Sequence, residues 1–238
     1  MKSKSKKTTQ WQIVPLLKKL RSPAEKIGFT TLGILLALWI NNLDEKRKKR
    51  EIEQKTLLEI KAGLMQDRKD LQETIQGYDY RVYNTTALFQ YLSQTQIPRD
   101  SLAYRITNLV GYSFLLANTA AYETLKSRGL ETITNDSLRL GITTLYDVEY
   151  EAIQTSEMHL SEVYNNMLLP YLVQNMPLGV SEVSPVELQK ILKDRPFQQM
   201  LWQIRSLNES TMGRYTSALQ GLETQLSQIE KELNSGRF

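Results

Sequence analysis

From Ile27 to Leu43 the chain reads IGFTTLGILLALWINNL, seventeen residues without a charge, closed by Lys26 on one side and Asp44 on the other. A run of that kind must be covered, either by a protein core or by lipid. At 1.5 Å per residue a helix of this length reaches roughly 25 Å, close to the ~30 Å of bilayer hydrocarbon. Lys26 and the cluster Lys46, Arg47, Lys48, Lys49 and Arg50 can carry their charged ends to the headgroups, and Trp39 suits the interface. The reading is a transmembrane helix over 27–43. A buried core helix is the competitor, but charge-free runs of this length with basic borders are rare in soluble cores. A cleaved signal peptide needs small residues after the run, and here Asn41, Asn42, Leu43 and Asp44 lead into EKRKKR.

The anchor divides the chain into three parts. Residues 1–26 form a basic tail whose stretch Trp11, Ile13, Val14, Leu16, Leu17, Leu20, with Lys18, Lys19 and Arg21 between, reads as an interfacial amphipathic segment. Residues 27–43 span, and 44–238 form the extramembrane domain. The net charge is only +4, and Lys and Arg gather in the first fifty positions on both sides of the apolar run. That placement indicates anionic lipid headgroups as partner and no nucleic acid. The tail carries eight Lys and Arg against five in the cluster from Lys46 to Arg50. Long C-terminal domains translocate largely regardless of charge, so the expected topology is a cytoplasmic N-terminus and a periplasmic bundle at the inner membrane. The absence of Cys excludes disulfides and thiolate metal sites.

Beyond the basic cluster, apolar residues recur in a heptad-like seam at Leu57, Leu64, Leu71, Tyr78 and Leu92, with Ile60, Ile75, Val82 and Phe89 beside them. A second stripe runs through Leu201, Ile204, Tyr215, Leu219, Leu222, Leu226, Ile229 and Leu233. The two predict long helices paired antiparallel in an intramolecular bundle. Self-association through the seam, as a coiled coil, is the alternative. Between them, Asp100 is a candidate cap, Gly129 a C-terminal stop, Asn135 and Asp136 a helix start, and Ser184, Pro185 and Glu187 a capping box; Pro196 breaks the chain before the last helix. No segment alternates with period two between hairpin turns, so the fold class is all-α: a transmembrane helix, a long helix and an antiparallel helical bundle.

Signatures of common enzymes are missing: no Gly-rich phosphate loop, no GxSxG, no HExxH. His159 is the single histidine. Glu157 lies two residues before it and Glu162 three after, so at most Glu162 shares its helical face, too few ligands for a zinc site. The pairs Asp67 with Asp70 and Glu149 with Glu151 read as solvated faces. No catalytic, cofactor-binding or metal residues are assigned; an enzyme would need convergent polar groups around His159 or Asp136.

Two stretches, IGFTTLGILLALWINNLDEKRKKREIEQKTLLEIKAGLMQDRKDLQE and AYETLKSRGLETITNDSLRLGITTLYD, carry a resemblance. In order and spacing the first 150 or so residues resemble a family of uncharacterised bacterial single-pass membrane proteins, a domain of unknown function in which an apolar helix ending in Asn-Asn runs into a charged helix. The residues that match its middle motif are Tyr122, Leu125, Ser127, Gly129, Asn135, Asp136, Leu138 and Arg139. The resemblance implies the architecture and no reaction. The motif reads either as an interaction corner or as a structural one with capped helix ends. The expected function is a membrane-anchored helical scaffold or protein-interaction module with a protein partner the residues do not name. The runner-up is a membrane-tethered sensor that relays binding along the helix from Leu57 to Leu92.

Overall fold

A computed structural model describes residues 23–92, 94, 98–109, 111–176 and 184–236, without the side chains of 23–27, 29 and 99. The predicted interfacial segment between Trp11 and Arg21, and the side chain of Lys26, lie outside the described residues. Every regular element is helical: α1 (Pro23–Tyr91), α2 (Arg99–Thr107), α3 (Ala120–Arg128), α4 (Asp136–Thr144), α5 (Tyr150–Val163), α6 (Leu169–Asn175), α7 (Pro185–Lys193) and α8 (Arg195–Leu233). The all-α expectation holds. The chain divides into two compact units, Met1–Lys48 and Lys49–Phe238, each described by itself.

In the first unit, the large apolar side chains of Leu32, Ile34, Leu35, Leu36, Leu38, Trp39, Ile40 and Leu43 are 47–64% exposed. Among the described residues no helix is long and apolar enough to cross a membrane, so the expected span over 27–43 has no support there. Ile27 and Phe29, which open the run, lie outside the described side chains.

The second unit is built around the predicted seam. Leu57, Ile60, Leu64, Leu71, Tyr78 and Leu88 are fully buried on α1, and Leu201, Ile204, Tyr215, Leu222 and Ile229 on α8. Thr85 interrupts the apolar seam without cost to the helix, because its hydroxyl donates to the carbonyls of Arg81 and Val82 (2.7 and 3.0 Å). Cross-links between the two long helices run in opposite order: Lys61 to Glu230 (2.9 Å), Arg68 to Glu223 (3.8 Å), and the Tyr78 ring to the Tyr215 ring (5.4 Å). Those pairings are antiparallel. The backbone packed most closely on α8, however, is α5, which the sequence reading did not single out.

From α4 to α6 the chain stays helical through two π-turns, Leu145–Glu149 and Tyr164–Leu168. The extra residue in each turn allows adjacent side chains to face the core together: Leu145 with Tyr146, and Val163 with Tyr164. The second π-turn also precedes Pro170, whose missing N–H cannot continue an ordinary helical ladder.

Several predicted helix ends are in place. Ser184 Oγ accepts from the Glu187 N–H while Glu187 accepts from the Ser184 N–H (2.9 Å), the expected capping box. Pro196 sits in the first turn of α8, where no intrahelical N–H is needed. Asp100 is not the cap of α2: Pro98 holds that position and Asp100 lies in the first turn. Gly129 ends α3 at φ 107°, ψ 127°, outside the regions open to L side chains. Gly129→Ala is expected to cost about 1–3 kcal/mol of stability through that strain. Chemical denaturation checks it, with Ser184→Ala as a capping comparison at about 1 kcal/mol.

Candidate functional site

The middle motif folds into a corner whose polar groups bond within the chain. Tyr122, Leu125 and Leu138 are buried. The Tyr122 ring stacks on Tyr146 (4.4 Å, 7°) and its hydroxyl donates to Asp147 (2.6 Å). Burial and that carboxylate push the Tyr122 hydroxyl up to about 12. Ser127 Oγ donates to the Thr124 carbonyl (2.8 Å). Asn135 caps α4 by accepting from the Leu138 N–H, and its amide donates to Glu232 (2.7 Å). Arg139 bridges Asp136 (2.6 Å) and the Ile133 carbonyl (2.9 Å). From α1, Glu53 accepts from both the N–H and the hydroxyl of Thr134 (2.7 and 2.9 Å). The geometry is that of a structural corner tied to both long helices.

The residues assigned to the membrane surface lie in a different unit or at its edge. Trp39, Lys46, Arg47, Lys48, Lys49 and Arg50 are exposed, and Asp44 bridges Arg47 (3.0 Å) and Lys48 (2.7 Å). His159 and Glu162 are exposed as well, whereas Glu157 turns to the opposite face.

Asp67 overturns its reading as a solvated acid, and Glu157 is buried with it. Both are 0% exposed. Between α2 and α3, residues 111–119 run without regular structure over the bundle, and these two carboxylates hold that strap down. Asp67, on α1, accepts from the Asn118 N–H (2.9 Å), the Asn118 amide (3.2 Å) and the Tyr150 hydroxyl (3.0 Å). Glu157, on α5, accepts from the Leu115 N–H (2.8 Å) and the Tyr215 hydroxyl. Each anchor therefore joins one strap amide to one buried tyrosine. Tyr146 donates to the Asn118 carbonyl (3.2 Å), and Arg81 donates to Ser113 Oγ (3.2 Å). A Cβ at Gly63 would stand 3.2 Å from the Asn118 Cβ, so the absence of a side chain there lets the strap approach α1.

Burial dominates the electrostatics. It raises the carboxyls of Asp67 and Glu157 above the ordinary range, against the lowering effect of their hydrogen bonds. It also raises the Tyr150 and Tyr215 hydroxyls, which stay protonated as donors. On its outer side the strap exposes Phe114 and Leu116, the latter 83% exposed, beside a groove of about 420 Å³ lined by Asp70, Glu73, Thr74, Gly77 and Ser113. Among the described residues, the buried atoms Glu157 Oε2, Arg81 Nη1, Asn208 Oδ1 and Thr211 Oγ1 have no hydrogen-bond partner within the protein. Among the described residues no group of three or more His, Asp or Glu is placed to hold a metal ion. A sequence signal for this site existed in the polar residues Asn208 and Thr211 on an otherwise apolar stripe.

Glu157→Ala and Asp67→Ala each strand a strap N–H and a tyrosine hydroxyl, at about 1–3 kcal/mol per unsatisfied donor. Amide exchange at Leu115 and Asn118 should accelerate in the matching variant. The pH dependence has a definite sign. A carboxyl raised in the folded state stabilises below its ordinary value, 4.5 for Glu157 and 3.8 for Asp67, and that contribution is lost as pH rises through the folded value. Denaturation midpoints followed upward from that range should therefore fall less in Glu157→Gln and Asp67→Asn than in the parent chain.

No protein-family model, curated protein or solved structure matches this chain.

Proposed function

We propose that the chain is a membrane-anchored helical interaction module, non-catalytic, with residues 27–43 in the bilayer and residues 44–238 presenting a binding surface for a protein partner. The observation that carries the reading is the contiguous exposure of eight large apolar side chains between Leu32 and Leu43, bordered by the basic cluster Lys46–Arg50. An apolar surface of that extent demands a cover, and basic residues next to it favour anionic headgroups as that cover. The resemblance to bacterial single-pass membrane proteins supports the same placement, with an inner-membrane address, a cytoplasmic tail and a periplasmic bundle. The competing cover is a second copy of the chain.

The second reading, a tethered sensor, is favoured by the groove of about 420 Å³ beside the strap. It differs from a scaffold in requiring a ligand for the bundle.

Flotation of the full chain with vesicles of phosphatidylethanolamine and phosphatidylglycerol tests the anchor. The intact chain should float and resist alkaline extraction, and the double variant Leu35→Asp, Leu38→Asp should stay at the bottom of the gradient. A chain that does not float, and whose oligomer dissociates in the double variant, uses the apolar run for self-association instead. Because the chain has no cysteine, single cysteines placed at Ser5 and Ser235 report topology through a membrane-impermeant thiol reagent in intact cells. Labelling at position 235 alone is the expected result.

A further inference from the structure

We propose that the groove between α1 and the strap 111–119 is a docking site for a cationic, apolar segment of a partner protein. The proposal rests on the reading of the bundle as an interaction module and is independent of how the apolar run 27–43 is covered.

Two elements of residues 49–238 build the groove. Asp70, Glu73 and Gly77 follow one another at three- and four-residue steps and so share one face of α1. Across from them the strap alternates. Ser113 accepts from Arg81 and the Leu115 N–H donates to Glu157, while Phe114 and Leu116 stand 54% and 83% exposed. The space between is about 420 Å³, in the range of pockets that hold a ligand.

Single exposed apolar residues are ordinary on protein surfaces. Here the outward residues sit on a lip that is held in place. The Phe114 ring packs edge-on against Tyr112 (5.2 Å, 80°), and Tyr112 packs against the buried ring of Tyr164 (5.8 Å). The inward bonds of Ser113 and Leu115 fix the chain on either side of Phe114. A lip ordered in advance loses little entropy when a partner covers it. Leu116 projects beyond the groove, so a molecule that fits wholly inside leaves it bare, whereas a chain segment covers both.

Charge selects the partner. Among the described residues the groove is lined by two carboxylates and no cation. Asp70 accepts from the neutral Gln66 amide (3.0 Å), and Glu73 has Lys69 at 3.8 Å in an exposed pair that contributes little. Near the Gly77 end, the Arg81 guanidinium is engaged with the Tyr78 ring and Ser113. A Lys or Arg of the partner therefore meets Asp70 and Glu73, and its apolar neighbours meet Phe114 and Leu116. Anionic headgroups are repelled at the same end. Two copies of the chain joined symmetrically through this face would bring their own carboxylates together.

The test is a selection. The full chain, in a nonionic detergent and immobilised through biotin on Ser235→Cys, is offered a phage library of random short peptides. Recovered peptides should combine Lys or Arg with aliphatic or aromatic residues. Their affinity, read by fluorescence anisotropy, should fall about tenfold in Leu116→Ser and about tenfold in Glu73→Lys, the loss of one central contact each. Added salt should weaken binding to the parent more than to Glu73→Lys. Both side chains are exposed, so the variants should keep the parent Tm. Peptides that bind both variants as tightly as the parent overturn the groove and leave the module reading standing. Recovery of no peptide overturns both. Acidic peptides, or a parent oligomer that dissociates in Leu116→Ser, also overturn the proposal, the latter by seating a second copy of the chain in the groove.

Discussion

The bundle depends on how two carboxylates are satisfied in its interior. A buried carboxylate without partners is among the costliest groups a fold can carry. The middle of a helix cannot help, because its N–H groups are already bonded to carbonyls four residues back. Donors for Asp67 and Glu157 must come from long side chains or from backbone outside helices. Tyr150 and Tyr215 supply the first, and the strap supplies the second through Leu115 and Asn118. The irregular backbone of 111–119 and the buried acids thus satisfy each other. Neither would be tolerable alone.

The same device recurs at the corner after α3. There the segment from Gly129 to Asn135, a single 3-10 turn over Leu130–Thr132 followed by extended chain, offers the Thr134 N–H and the Asn135 amide, and Glu53 and Glu232 accept them. These two breaks in the helical path are therefore each pinned by a pair of buried acids, drawn from α1 and α5 in one case and α1 and α8 in the other. Helix α1 takes part in both, which gives it a role beyond its apolar seam. The π-turns fit this scheme. By bringing Tyr146 inward beside Leu145, the first one places a hydroxyl at the Asn118 carbonyl and a ring against Tyr122.

Much of the fold was legible because it rests on periodicity and capping. Leu57, Leu64, Leu71 and Tyr78 repeat at seven residues and are buried as that repeat requires, and Ser184 with Glu187 forms the box its spacing announces. The strap was not legible. Residues 111–119 carry no turn signature, and what fixes them lies 42 and 51 residues away in sequence. Asp67 was misread for a related reason. On a helix an acid next to polar neighbours looks solvated, and only the partner's position reveals that it faces inward. Gly63, which taken alone only weakens a helix, is where the strap crosses. The corner residues were found by motif, and their chemistry proved to be capping and cross-linking.

The apolar seam and the anchors together say what kind of plasticity this bundle has. Its long helices are locked by apolar residues at 0% exposure, so they resist movement as units. The strap is held by a few directed bonds, chiefly to two carboxyls whose burial favours their protonated form. Sliding a helix would break the packed seam along its length, whereas freeing the strap requires exchanging the partners of two carboxylates. A partner that replaces one of the donors of the strap removes part of that barrier directly. The element that is least regular in the fold is therefore also the one through which binding can be coupled to shape.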